Sequence, residues 1–275
     1  ETPYSYQWYE NGSPMAGETG STLSLTAVPA SMSGNQYFVD VTGGCGNTVR
    51  SDLAILTVNT ETNITVQPSD TTICEFSATA FGVTATGSGL TYQWQGQAPS
   101  ESSFTDLVGS GTFIGVNTSN LQVYGADRTM SGYRFRVVVG GTCSADLTSA
   151  EAVLTVNTAP EIVSNPSDTT VCEGFGGMFV VEAAGDSLEY QWFVNNGGGF
   201  VALSDDANHT GSDDDTLYVT NVGQSMNGWL YRAVVSGVCS PDAYSSFAVL
   251  AVEPLPVVTQ QPLAQEICEG LGATF

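Results

Sequence analysis

Apolar and polar residues alternate along short stretches of this chain, as in Ala152-Val153-Leu154-Thr155-Val156 and Leu217-Tyr218-Val219. That period of two, rich in β-branched residues, predicts strands whose side chains point to opposite faces. Gly, Asn, Asp and Ser clusters separate the stretches, and no segment sustains a helical period over three turns. No apolar run approaches the ~20 residues of a membrane-spanning helix. The pattern also repeats. Tyr6-Gln7-Trp8 returns as Tyr92-Gln93-Trp94 and Tyr190-Gln191-Trp192, and Met32-Ser33-Gly34 as Met130-Ser131-Gly132 and Met226-Asn227-Gly228. Gln67-Pro68-Ser69-Asp70-Thr71-Thr72-Ile73-Cys74-Glu75 returns at 165–173, and more weakly from Gln261-Pro262 to Ile267-Cys268-Glu269. The leading Gln or Asn positions lie 98 and then 96 residues apart. Three motifs in one fixed order mark tandem repeats. About seven short strands in each ~95-residue unit is the pattern of an antiparallel sandwich.

The strand endings and linkers divide the chain into residues 1–60 (strands C to G of a partial repeat), 61–159 and 160–254 (complete repeats), and 255–275 (strands A to B of a fourth). The linkers Asn157-Thr158-Ala159-Pro160 and Glu253-Pro254-Leu255-Pro256 are short, and proline restricts their swing, so the expected array is a semi-rigid rod. The start, Glu1-Thr2-Pro3-Tyr4, has neither an initiator Met nor a signal peptide and reads as a window into a longer chain. The two incomplete ends are complementary in strand content. A cut through a longer array accounts for this more simply than one chain completing the next.

Each unit resembles an immunoglobulin-like domain. Trp8, Trp94 and Trp192 match the buried tryptophan of strand C, and Leu23/Leu25, Leu121/Val123 and Leu217/Val219 match strand E. Leu25, Val123 and Val219 each stand nine positions before Gly34, Gly132 and Gly228, and strand F follows that turn. The resemblance implies tyrosine-corner positions for Tyr37, Phe135 and Tyr231, with Phe135 lacking the hydroxyl. Where a vertebrate-type domain has its strand F cysteine stand Val39, Val137 and Ala233, opposite Val83 and Val181 of strand B. Apolar packing therefore replaces the usual inter-sheet disulfide. The whole motif set, including Thr-Thr-Ile/Val-Cys-Glu and Gly-Thr/Val-Cys-Ser, is similar over essentially the full chain to tandem Ig-like repeats of Bacteroidota secreted proteins. These include gliding-motility and cell-surface adhesins exported by the type IX system. That resemblance implies an extracellular or cell-surface location and O-linked modification, with matching sites at Thr71, Thr169, Ser187 and Thr216.

Charge narrows the partners. Against 28 Asp and Glu stand 5 arginines and no lysine, for a net charge of −23. A phosphate-tracking surface needs clustered Lys and Arg, so nucleic acid is an unsuitable partner, and an anionic membrane surface would repel the chain. The one histidine, His209, sits in loop-like surroundings without triad or zinc partners and reads as solvated. Asp205, Asp206, Asp213, Asp214 and Asp215 are the candidates for calcium, which takes about six to eight oxygen ligands. They lack the alternating Asp-x-Asp-x-Asp-Gly order that folds one loop around the ion, and the default is a solvated charge run. The segment between strands C and E varies: Trp8 to Leu23 spans 15 residues, Trp94 to Leu121 spans 27, and Trp192 to Leu217 spans 25. Its apolar residues Phe104, Phe113-Ile114 and Phe200-Val201 are expected in extra C′ and D strands, although a binding loop would vary in the same place. N-glycosylation sequons occur at Asn11, Asn63, Asn117 and Asn208.

Six cysteines form two classes. Cys74, Cys172 and Cys268 end strand A′; Cys45, Cys143 and Cys239 lie in the F–G turn. Outside the cell they should be oxidised. Pairing within a repeat would join Cys74 to Cys143 and Cys172 to Cys239, 69 and 67 residues apart. Ig topology places these turns at opposite ends of a ~20 Å strand, whereas a disulfide needs Cα atoms within ~7 Å. A head-to-tail rod instead brings Cys74 near Cys239 and leaves Cys143 and Cys172 seeking partners in further repeats. An unusual strand order would restore the within-repeat pairs. The constant 29-residue spacing from each F–G cysteine to the next A′ cysteine fits the inter-repeat staple.

The chain thus reads as an all-β rod of Ig-like sandwiches: a non-catalytic structural and adhesive segment of a long filament protein. Its expected partners are neighbouring repeats of the same or identical chains and surface polysaccharide. A glycan-binding module and a spacer within a large secreted enzyme are the other two readings.

Overall fold

The computed structural model describes residues 4–275; Glu1, Thr2 and Pro3, the start of the partial first repeat, lie outside the described residues. The chain divides into two compact units, Glu1–Val156 and Asn157–Phe275.

The second unit holds one complete sandwich. In one sheet, A′ (Thr169–Cys172) runs parallel to G (Ala248–Glu253), followed by F (Leu230–Ser236), C (Glu189–Asn195) and C′ (Phe200–Ala202), with Ala243–Tyr244 returning along F. In the other, B (Gly177–Val180) pairs with E (Thr216–Val219) and E with D (His209–Thr210); A (Glu161–Ser164) pairs with the continuation of B, Glu182–Ala184. This is the immunoglobulin-like arrangement that the repeats predict. The first unit repeats it: A (Asn63–Val66), A′ (Thr71–Cys74), B (Thr79–Gly82), C (Thr91–Gln97), C′ (Thr105–Asp106), D (Phe113–Ile114), E (Asn120–Val123), F (Arg134–Gly140) and G (Leu147–Thr148, then Ala152–Asn157). Phe113-Ile114 and Phe200-Val201 therefore lie in D and C′, as expected, whereas Phe104 stands just before C′ outside any strand, and Ile114 and Val201 are exposed rather than in the core.

The alternation buries every second residue. Trp192, Leu217, Val219, Tyr231, Ala233 and Leu250 are fully buried in one core, and Trp94, Leu121, Val123, Phe135, Val137 and Leu154 in the other. Val83 and Val181 join them, filling the strand B side where a disulfide would sit. The repeated polar residues hold the backbone around these cores. The glutamine of Tyr-Gln-Trp donates from Nε2 to the C′ side: Gln7 to Met15 O at 2.8 Å, Gln93 to Leu107 O at 3.0 Å, Gln191 to Leu203 O at 2.7 Å. The indole N–H reaches the turn before E: Trp94 Nε1 to Thr118 O and Trp192 Nε1 to Asp214 O, both at 2.9 Å.

Strand G is broken, and side chains repair the break. Gln67 and Asn165 accept from Ala150 N–H and Ser246 N–H, while Asp70 and Asp168 accept from Val153 N–H and Val249 N–H. Ser149 and Ser245 accept from Val137 N–H and Ala233 N–H of strand F. In Met-Ser/Asn-Gly, the middle residue accepts from G or, in the first repeat, from just after it (Ser33 from Val58, Ser131 from Val156, Asn227 from Val252). The glycine then turns with φ of +92°, +86° and +82° at Gly34, Gly132 and Gly228, a left-handed conformation that favours glycine.

Two sequence expectations fail. The first repeat forms C (Ser5–Glu10), C′ (Ser13–Pro14), F (Gln36–Thr42) and G (Thr48–Arg50, Ala54–Ile55), but Leu23 and Leu25 form no strand E. In the complete repeats E is paired to B, and among the described residues the first repeat has no B; Trp8, Leu23, Leu25 and Val39 stay partly exposed. Residues 254–275 carry the A-to-B pattern yet form no strand. The E and G strands that would pair with them are not in the sequence, and an unpartnered strand is not stable in water.

This difference predicts unequal costs. Trp192→Ala, which empties a closed core, should destabilise its sandwich by ~3–5 kcal/mol. Trp8→Ala, at a partly exposed site, should cost clearly less. Urea unfolding followed by circular dichroism measures both, and equal shifts would contradict the core assignment.

Candidate binding face

His209 is not solvated. It is buried in strand D, its backbone paired beside Val219, with Nδ1 2.9 Å from Asp206 Oδ1 and Nε2 3.1 Å from the Tyr231 hydroxyl. Its polar neighbours in sequence gave no sign that D would turn this side chain inward. Tyr231 consequently does not make the tyrosine-corner bond to backbone: its hydroxyl meets His209, and the Tyr37 hydroxyl donates to Glu10 Oε1 at 2.6 Å. Desolvation, followed by the Asp206 charge, pushes the Tyr231 phenol well above the ordinary tyrosine range.

The five aspartates do not converge. Asp205 accepts from Ser212 N–H and Gly211 N–H, and Asp206 from Asn208 N–H and His209 N–H, so both are bound to their own loop. Asp213, Asp214 and Asp215 line an open hollow of about 620 Å³ with Leu188, Glu189 and Tyr190. Among the described residues, no group of three or more His, Cys, Asp or Glu is placed to hold a metal ion.

The modification candidates scatter. Thr71 and Thr169 lie in strand A′, Thr169 donating to Met178 O at 3.2 Å. Thr216 opens strand E and donates to Asp215; Ser187 is exposed in a turn at φ +53°. Among the sequons, Asn208 spends its amide nitrogen on Thr220 O and Asn221 O, and Asn117 on Tyr92 O and Gln93 Oε1. Asn11 and Asn63 are exposed. Cys74 and Cys239 are disulfide-bonded. Cys45, Cys143, Cys172 and Cys268 are exposed free thiols. With Cys143 and Cys172 free, neither within-repeat pair is formed in this structure.

One surface has no counterpart among the repeated sequence motifs. In each of the first three repeats an arginine at an outward position of F or G stacks on one or more aromatic rings. Arg50 lies 4.1 Å from the Phe38 ring centre and 5.4 Å from that of Tyr9. Arg136 lies 4.0 Å from Phe104. Arg232 has Phe200 at 4.2 Å, Tyr244 at 5.5 Å and Phe193 at 5.8 Å. Such stacks are favourable between a cation and a ring face. The legible signal was Arg232 in an outward position of strand F, between the core residues Tyr231 and Ala233.

The loop carboxylates give a pH prediction. Hydrogen bonds from Ser212 hold Asp205 below the ordinary carboxylate range, and those from Asn208 N–H and then His209 do the same for Asp206. A depressed folded-state value contributes stability above the unfolded value of about 4, lost as pH falls through the folded one. The Tm gap between wild type and Asp206→Asn should therefore be widest near neutrality and narrow in acid. Scanning calorimetry from pH 7 to pH 2 checks this, and a pH-independent gap would contradict it.

No protein-family model matches the chain, and no curated protein matches it. Solved structures do. An I-band fragment of titin matches with a TM-score of 0.60 at 13% identity, covering 91% of this chain and 88% of that one. The N-terminal eight Ig domains of Down Syndrome Cell Adhesion Molecule match with a TM-score of 0.54 at 14% identity, covering 92% of this chain and 35% of that one. At such identities the likeness shows the fold alone, and that fold is a series of tandem Ig-like repeats.

Proposed function

We propose that the chain is a non-catalytic structural and adhesive segment of a long extracellular or cell-surface filament protein. The observation that carries this reading is the use made of the repeated residues. Tyr-Gln-Trp, Met-Ser/Asn-Gly and Gln/Asn-Pro-Ser-Asp are spent on backbone clamps and core in each repeat rather than on a shared chemical site. Selection for a sandwich that can be stacked many times would keep those residues. The repeats run 1–60, 61–159, 160–254 and 255–275 in a rod, with neighbouring repeats of the same or identical chains and surface polysaccharide as partners. The motif order supports an origin among the gliding-motility and cell-surface adhesins of Bacteroidota.

In this reading the A′ cysteine of one repeat is bonded to the F–G cysteine of the next. Cys74 and Cys239, both in disulfide form, would be such a pair, and Cys143 and Cys172 would find their partners in further repeats. A covalent staple of this kind limits bending under tension and requires an oxidising compartment.

Two measurements test these points. Non-reducing peptide mapping should recover a Cys74–Cys239 peptide; recovery of Cys74–Cys143 would refute the staple. Incubated with polysaccharides and peptides, the pure chain should release no product, and robust turnover of either would overturn the non-catalytic reading.

A further inference from the structure

The arginine stacks differ between repeats in one respect. In the first, Asp40 neutralises Arg50, with Nε 2.8 Å from Oδ1 and Nη2 3.0 Å from Oδ2. In the second, Arg136 Nε donates to Gln95 Oε1 at 2.8 Å, and Gln95 in turn donates to Asp106. In the third, Phe193 takes the place of Gln95 and Val234 the place of Asp40. Both acceptors are gone while the cation remains. Arg232 Nε is buried with no hydrogen-bond partner, and the rest of the side chain stays partly exposed. A charged group kept among rings without an acceptor is costly unless something completes it. A chain with net charge −23 has acidic residues in abundance, yet among the described residues none forms an ion pair with Arg232.

We propose that this face of the third repeat binds carboxylate-bearing sugars, the uronic acid residues of an acidic polysaccharide. The Arg232 guanidinium takes the carboxylate end-on through its two terminal amino groups, since Nε is covered. Tyr244, 60% exposed, and the partly exposed Phe193 and Phe200 offer ring faces to the C–H face of the pyranose. The surface is an open sheet, which suits a flat, extended chain of sugars. A phosphorylated or sulfated polymer would need several clustered cations. Here there is one, matched to a planar monoanion that a guanidinium binds in a fork. A side-chain carboxylate of a second copy would meet the guanidinium but brings no pyranose face to lay against the rings.

The inference deepens the adhesive reading, resting on it for the surface on which such sugars occur. Binding is measured on the whole chain in solution, where filament formation plays no part, so the two can fail separately. Calorimetric titration of the 275-residue chain with oligomers of galacturonate, glucuronate and mannuronate should show binding to at least one. A neutral galacto-oligosaccharide should not bind. Arg232→Gln should weaken uronate binding by about tenfold to a hundredfold, the range of a hydrogen bond to a charged group, with Tm retained. Tyr244→Ala, at a more exposed position, should weaken it independently, and Arg136→Gln in the second repeat should leave it unchanged. Absence of uronate binding by the folded chain, or equal binding by Arg232→Gln and Tyr244→Ala, overturns the proposal. So does self-association that Arg232→Gln abolishes, which would make a second copy's carboxylate the occupant.

Discussion

Each complete sandwich depends on a tryptophan that must be dry and hydrogen-bonded at once. Trp94 and Trp192 are fully buried in the inner layer between the sheets, and a buried indole N–H needs an acceptor. The carbonyls of Thr118 and Asp214 supply it, just before strand E of the opposite sheet. The bond therefore ties strand C across the core to the turn that aims E, and E in turn pairs with B. Without a disulfide between strands B and F, this contact and the valines around it do the work of holding the sheets in register. In the first repeat the same indole donates to Gly20 O, yet with no strand B beside it the tryptophan is only partly buried. The bond is retained; the closed core is not.

Around that centre, polar residues compensate for an irregular backbone. Strand G breaks between its two segments, exposing N–H groups that a continuous ladder would have paired. The Gln/Asn and Asp of the A–A′ crossing and the serine of G itself take those donors. Residues that resemble a surface motif in sequence are thus part of the sheet's hydrogen bonding, which explains why they recur at matching positions.

The outer face of the same sheet is where the repeats diverge. The core demands the same apolar residues in each copy, whereas outward positions of C, F and G can change without disturbing it. Tyr9, Phe38 and Arg50 become Gln95, Arg136 and Thr148, then Phe193, Arg232 and Tyr244. In each of these three repeats a scarce cation stacks on a ring, Phe104 just before C′ serving in the second, but only the third leaves that cation without an acceptor. A rigid scaffold with one variable face is a common way for function to be carried by a structural repeat.

Much of this was legible beforehand. Strand alternation, the order of the repeated motifs, the core valines in place of cysteines, and the C′ and D strands of the long segments all follow from local pattern, because a period of two assigns a face to each residue. What could not be read locally depends on residues far apart in the chain. His209 stands among polar neighbours, and only the pairing of D with E turns its ring towards Tyr231. Leu23 and Leu25 have the strand E pattern but no strand B to pair with. The two classes of cysteine were evident from spacing, yet which are bonded and which are free is a matter of three-dimensional proximity. Sequence by itself determined the kind of strand, its faces and their repetition, since these are set by neighbours along the chain. The tertiary structure alone decided which polar and charged groups are satisfied, because a hydrogen bond or an ion pair is made only where folding brings its two halves within reach.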